Sequence, residues 1–272
     1  MEIKKTMKKI ALASLLAFPA ISGSRVHAQE KNDSPWRIRA SISENALAAK
    51  YNKGFYEEIN SEYGSNIRNW NLDHGWKDIK QDSIKQFGGM DVDIRTNKNV
   101  YLTAGYKRTL PLQSEYHERY SYDDPGYMQR ALYDIEVKEN LEMQCASLGL
   151  GYEVGWGRWL FDGKGKADYW IASSDYHVVR KQGLPGNPGA SVQEKNGKYG
   201  GKAFGWTLEA SVNRMIGKRY FAGIGASWTL MRMMAFGEES TKTNNVESKR
   251  NMGVDIDASG AMISAKIGIF LK

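Results

Sequence analysis

The residues best placed to do chemistry are Asp175 and His177, in the run Trp170-Ile171-Ala172-Ser173-Ser174-Asp175-Tyr176-His177. An aspartate two positions from a histidine can orient the imidazole and stabilise its protonated form, as a general base acting through water requires. The remaining histidines of the mature chain, His74 and His117, stand in long polar segments and read as solvated loop residues. Asp91 and Asp93 also form an Asp-x-Asp pair, but one lying in a strand whose inner face meets Arg37 and Arg39, which is the pattern of a structural ion-pair lattice. Glu115, His117, Glu118, Arg119, Asp123, Asp124, Glu136 and Glu139 make an acidic cluster suited to a divalent cation or a basic peptide, and equally to a solvated loop. Arg180, Lys181, Lys195, Lys198 and Lys202 make a basic loop that could meet the phosphates of lipid A or host polyanions. No metal site with regular ligand spacing, no phosphate-binding glycine loop and no nucleic-acid module is evident, so no cofactor, metal or nucleic-acid partner is expected.

The elements that must position these residues follow a secretory leader. Lys4, Lys5, Lys8 and Lys9 precede an apolar run from Ile10 to Ile21, and the small residues Val26 and Ala28 fit a signal-peptidase cut. Residues 1–28 therefore read as a signal peptide and 29–272 as a single domain. The run is shorter than the roughly 20 apolar residues of a spanning helix. Cleavage removes five basic residues (Lys4, Lys5, Lys8, Lys9, Arg25) and one acidic residue (Glu2), taking the formal charge from +7 to +3. The single cysteine, Cys145, excludes an intramolecular disulfide and reads as a small buried or lipid-facing residue.

Within the domain, apolar residues fall on alternate positions in short runs, the signature of strands with one face in oil. Trp36, Ile38, Ala40 and Ile42 alternate with Arg37, Arg39, Ser41 and Ser43; Met90, Val92 and Ile94 alternate with Asp91, Asp93 and Arg95. Similar runs cover 100–107, 148–154, 166–176, 204–212, 220–230 and 261–271, eight in all. Short turns at 96–99, 155–162 and 215–218 alternate with long polar segments at 44–85, 110–137, 177–200 and 235–253, the arrangement of short periplasmic turns and long surface loops. The expected fold is all-β, a transmembrane antiparallel up-and-down barrel of eight strands, with ten as the alternative, in the outer membrane. Trp36, Tyr106, Trp159, Trp206, Tyr220 and Trp228 near strand ends fit aromatic girdles.

Arg37, Arg39, Asp91, Asp93, Arg95, Lys107, Glu209 and Lys266 are expected to point inward and pair, which a dry soluble-type core would not tolerate. The apolar pattern shifts parity at Cys145 to Leu148 and at Ala258 to Ala261, implying a bulge or an exit from the membrane band. Eight strands enclose a lumen just wide enough for side chains, so a wide diffusion pore is not expected.

The stretch around Asp175 and His177 resembles the omptins, outer-membrane proteases whose Asp-x-His dyad follows a similar Trp and Ser-Ser-Asp stretch. Glycine-tyrosine pairs at Gly105-Tyr106 and Gly151-Tyr152 and the order of strands and turns from about Gly88 onward extend the resemblance. It implies His177 as the base, Asp175 as its orienter, a carboxylate pair across a cleft, and lipopolysaccharide as a lipid activator. The pair is missing from Ser65-Asn66-Ile67-Arg68-Asn69-Trp70-Asn71-Leu72-Asp73, where only Asp73 supplies a carboxylate, and omptins have ten strands. In overall pattern the chain is also similar to surface barrels of bacteria of the chlamydial, Protochlamydia type, for which no protease role is implied. The expected role is structural or surface interaction, with outer-membrane lipid, lipopolysaccharide or host surface molecules as partners. An omptin-like endopeptidase using Asp175, His177 and Asp73 is the alternative, and a narrow channel a third.

Overall fold

The computed structural model describes residues 38–49, 56–57, 59–61, 84–109, 113–124, 129–184 and 187–271. Residues 1–28, expected to be a leader, and Trp36, Arg37, Asp73 and His74 lie outside the described residues. The strands are β1 (Ile38–Ala49), β2 (Ile84–Arg95), β3 (Val100–Thr109), β4 (Gln113–Asp124), β5 (Gln129–Trp156), β6 (Trp159–Leu184), β7 (Asn187–Ile216), β8 (Tyr220–Leu230), β9 (Arg232–Thr243), β10 (Val246–Asp257) and β11 (Gly260–Leu271).

Eight of them close a ring in the order β1, β2, β3, β5, β6, β7, β8, β11 and back to β1, every pairing antiparallel. Closure of β11 on β1 and of β7 on β8 fixes eight strands rather than ten. It also removes sheet edges, so that each backbone amide in the ring finds a partner without water. The tight turns at one end use Gly157 and Gly217 at positive φ (59° and 69°), where a side chain would be strained.

Of the expected long loops, 110–137, 177–200 and 235–253 are largely strand among the described residues, and most of 44–85 lies outside them. β5, β6 and β7 run for 28, 26 and 30 residues, against the roughly 9–11 that cross a bilayer. β9 keeps against β7 the register that β8 has (Trp206↔Leu230, Gly200↔Phe236), and β10 and β11 do likewise against β9 and β8 (Met252↔Gly237, Gly260↔Thr229). Each pair is thus one long strand interrupted at the same level, where Ser259 Oγ bridges the backbone of Met231. β9 and β10 join through Asn244 and Asn245 at φ 45° and 73°, the two-residue turn that suits the twist of a hairpin. β4 pairs with the outer half of β5.

Side-chain parity holds along these strands through the membrane boundary, the β6–β7 register shifting only at Gln182/Leu184, but polarity changes faces. In the inner half of β6, Asp162, Lys164, Lys166 and Asp168 are buried inside the ring while Trp159 and Ile171 stand outside. Beyond Trp170 the order reverses: Trp170, Ala172, Tyr176 and Val178 are buried, and Ser173 and Asp175 are exposed. β5 makes the same exchange between Ser147 and Cys145, with unbroken register against β6. The parity shift in the sequence at Cys145 is therefore the exit from the membrane band and not a bulge. The outer half has a water-soluble arrangement, which is why 177–200 and 235–253 read as polar loops: few apolar residues remain, and they face inward.

The lipid-facing wall carries Ile42, Met90, Ile94, Leu102, Leu148, Leu150, Phe204, Trp206, Leu208, Ile224, Ile263 and Ile267, all exposed. Ile267 is 56% exposed, and Ile267→Arg should cost about 2–4 kcal/mol if the residue lies near the midplane. Urea unfolding in lipid vesicles measures this; unchanged stability would place Ile267 outside the hydrocarbon band.

Candidate functional site

The lumen of the inner half is filled by one ion-paired lattice that ties six ring strands together. Arg39 on β1 donates from Nε to Asp93 (2.7 Å) and from Nη1 to Glu153 (2.7 Å) and Asp162 (3.1 Å). Lys164 donates to Asp93 (3.0 Å) and Lys166 to Asp91 (2.9 Å), while Lys166 and Lys266 both pair with Glu209. Arg95 completes the group on Glu153 at 2.8 Å. Arg39, Arg95, Lys164, Lys166 and Lys266 thus balance Asp91, Asp93, Glu153, Asp162 and Glu209, leaving the set without net charge.

The local sequence explains this placement. Asp91 and Asp93, and likewise Lys164 and Lys166, are two apart on a strand and so share a face. Their opposite numbers arrive from strands across the narrow ring. Burial of such charges is tolerable only with complete pairing. Below the lattice, Tyr101, Leu160, Phe221 and Phe270 close the end, with the Arg39 guanidinium 4.8 Å from the Tyr101 ring centre. Gly151 and Gly268 make room for this plug, since a Cβ there would lie 2.2 Å from the Tyr101 ring and 2.3 Å from the Phe221 ring.

Above the lattice, Thr207 bonds to Asp168 and to Thr229, and Trp170 packs edge-on to Phe87 at 6.0 Å. The outer core continues through Met143, Val137, Ile135, Met233, Val254 and Ile256, with Tyr56 and Ile59 from the helical residues after β1 inserted into it. Its buried carboxylate, Glu139, accepts from Tyr56 (2.9 Å), Ser174 (3.1 Å) and Tyr199 (2.6 Å). Glu239 accepts from Tyr176 and Arg250, each at 2.6 Å. Burial alone would raise the Glu239 pKa, but Arg250 and Tyr176 outweigh it and hold the carboxyl below the usual range. The stabilisation is therefore present at neutral pH and is lost only as pH falls through that lowered value.

Asp175 and His177 lie on the opposite side of the wall. Both are on the outward face of β6, where Asp175 pairs with Lys198 at 3.4 Å and His177 Nδ1–H donates to Asn196 Oδ1 at 2.6 Å. Asp73, the third residue of the proposed site, lies outside the described residues. Cross-strand neighbours make the row Asp175, Lys198, Glu238 and beside it His177, Asn196, Ser240 and Lys249. All of these except His177 border an open groove of about 480 Å³ that also includes Glu247. Further round, His117 meets Asp134 at 2.6 Å, and the Lys138 ammonium, with smaller help from His117 and His177, holds Glu136 below its ordinary pKa. The acidic cluster of 114–139 is thus divided: Glu139 is in the core, whereas Glu115 and Glu136 pair with Lys138 on the surface.

Arg39, Asp91, Asp93, Arg95, Lys107, Glu209 and Lys266 face inward as the alternation indicates. Asp162 and Lys164 were not legible as part of this set, because β6 begins at Trp159, inside a stretch that reads as a turn; Glu153, Lys166 and Asp168 lie in the alternating runs 148–154 and 166–176 but were not counted among the inward charges. Charges at every second position from 162 to 168 are the signal that finds them. The same count puts Asp175 and His177 outward.

No family model matches the chain, and no curated protein is similar to it. Among solved structures it is similar to the outer membrane protein OprG from Pseudomonas aeruginosa, at 11% identity over 87% of this chain and 95% of that one, with a TM-score of 0.43. It is also similar to Ail, the attachment invasion locus protein of Yersinia pestis (9% identity, 87% and 99% covered, TM-score 0.36). A third is the outer membrane protease OmpT from Escherichia coli (8% identity, 90% and 100% covered, TM-score 0.30). The chain's own closed ring, apolar outside and ion-paired inside, makes it an integral outer-membrane β-barrel.

Removing Arg39 would leave Asp93, Glu153 and Asp162 together without their shared cation. Arg39→Met should therefore destabilise the barrel by about 3–5 kcal/mol, whereas Lys198→Met, at an exposed pair, should cost less than about 1 kcal/mol. Urea titrations of both variants in vesicles check the contrast; equal effects would refute the lattice as the keystone of the inner half.

Proposed function

We propose that the protein is a surface-interaction barrel: a sealed membrane anchor that holds a rigid, charged β-wall above the outer leaflet. The observation that carries this reading is the outward extension of β5, β6, β7, β9 and β10 with its own apolar core. The twelve residues of β6 beyond its polarity exchange, 173–184, amount to about 40 Å of strand at roughly 3.3 Å per residue. A barrel that served only to span the membrane would not need them. The neutral, fully paired lattice and the aromatic plug argue against conduction as the primary role.

The outward face alternates in sign, with Lys198, Lys242 and Lys249 among Asp175, Glu238 and Glu247. Such a face suits a protein partner of mixed charge better than a uniform polyanion. Ail, one of the similar structures, is also known in complex with the heparin analogue sucrose octasulfate. At the membrane boundary, exposed Lys202 and Arg232 flank Phe204, which supports lipopolysaccharide phosphate as a lipid partner.

Cells displaying the barrel should adhere to immobilised host-surface proteins more than cells carrying Lys198→Glu with Lys249→Glu, at equal surface expression. Equal adherence of both strains, or none above cells lacking the barrel, would contradict the reading.

The second reading is the endopeptidase, supported by the shared outward face of Asp175 and His177 beside an acidic groove that could receive a basic peptide. Its base would have to exchange the Asn196 contact for a water. A quenched dibasic peptide with folded barrel and lipopolysaccharide should show no cleavage above background; activity that disappears in both Asp175→Ala and His177→Ala would instead establish the protease.

A further inference from the structure

The opposite, short-turn end of the barrel carries a second feature that a surface role does not use. Its exposed described residues include Lys98, Arg158, Arg214, Lys218 and Arg219, while the nearby carboxylates Glu153 and Asp162 are turned inward onto Arg39. From Phe204 to Ile216 Arg214 is the one cation on the outward face of β7, directly opposite Trp159 on β6, with its guanidinium 5.6 Å from that ring. Its neighbour on the other side is Ala222 of β8.

The small Ala222 leaves an open groove of about 550 Å³, walled by Ile216 and Ile224 and headed by Arg158 and Arg214. Among the described residues neither arginine has a carboxylate partner. Two exposed guanidinium groups without a carboxylate partner, at the level where hydrocarbon gives way to headgroups, suit a phosphate. We propose that this groove binds an anionic phospholipid of the periplasmic leaflet. The phosphate lies between Arg158 and Arg214, and one acyl chain lies over Ala222 between Ile216 and Ile224. Among the described residues no carboxylate lines the groove, which favours a headgroup of net negative charge over a zwitterionic one with an ammonium to be paired.

Native mass spectrometry of the full barrel released from nanodiscs of mixed phosphatidylethanolamine and phosphatidylglycerol tests the site. Retained phosphatidylglycerol should be enriched about tenfold over its share of the bilayer, and the enrichment should vanish in R158Q/R214Q. K98Q/K218Q removes the same charge from the same rim outside the groove and should keep it. All four positions are exposed, and a heat-modifiable gel shift confirms that each variant is folded. Equal loss in both double variants would show only a diffuse basic rim, and equal retention of the two lipids by the wild type would show no headgroup selection; either overturns the proposal.

Discussion

A β-strand cannot change which of its faces a given side chain occupies, because alternate residues point to opposite sides for its whole length. A strand that leaves lipid for water must therefore exchange polar and apolar residues between its faces at one level. Every long strand of this barrel obeys that constraint. On β6 the exchange falls around Trp170, on β5 around Cys145, and on the paired strands β8–β9 and β10–β11 at Met231 and Ala258, where the ladder itself is interrupted. These positions ring the barrel and define the outer boundary of the membrane more directly than any single aromatic girdle.

Two kinds of core follow. In the membrane half, with most apolar groups committed to lipid, polar side chains fill the lumen of eight strands above the plug of Tyr101, Leu160, Phe221 and Phe270. They must satisfy one another, and Arg39, held by Asp93, Glu153 and Asp162, is the centre of that arrangement. In the outer half, the usual burial of apolar groups away from water operates, and Leu141, Met143, Met233, Val254 and Tyr199 supply it. Stability of the anchor thus depends on charge pairing, and stability of the extension on apolar packing with two buried carboxylates, Glu139 and Glu239, that tyrosines and Arg250 satisfy.

The anchor was readable from residue alternation because its apolar face is nearly uninterrupted: Val100, Leu102 and Ala104, or Ile263, Ala265 and Ile267, admit one interpretation. The extension was not, because its apolar positions are sparse and shifted to the other face. Tyr176, Val178, Tyr199 and Met252 are separated by charged and small residues that resemble loop composition. The Asp175–His177 spacing is real, but spacing of two fixes only that both residues share a face. Which face depends on the run from Asp162 to Asp168, and that run places them outside.

The most direct test of the polarity exchange is a single-cysteine accessibility scan along β6 in a Cys145→Ser background, with an environment-sensitive fluorophore and both a lipid-soluble and a water-soluble quencher. Probes at the outward positions 165, 167, 169 and 171 should be quenched from lipid, and those at 173, 175, 177 and 181 from water. A lipid signature continuing through 175 and 177, or water quenching that begins below 169, would contradict a membrane boundary at Trp170 and the two-core architecture built on it.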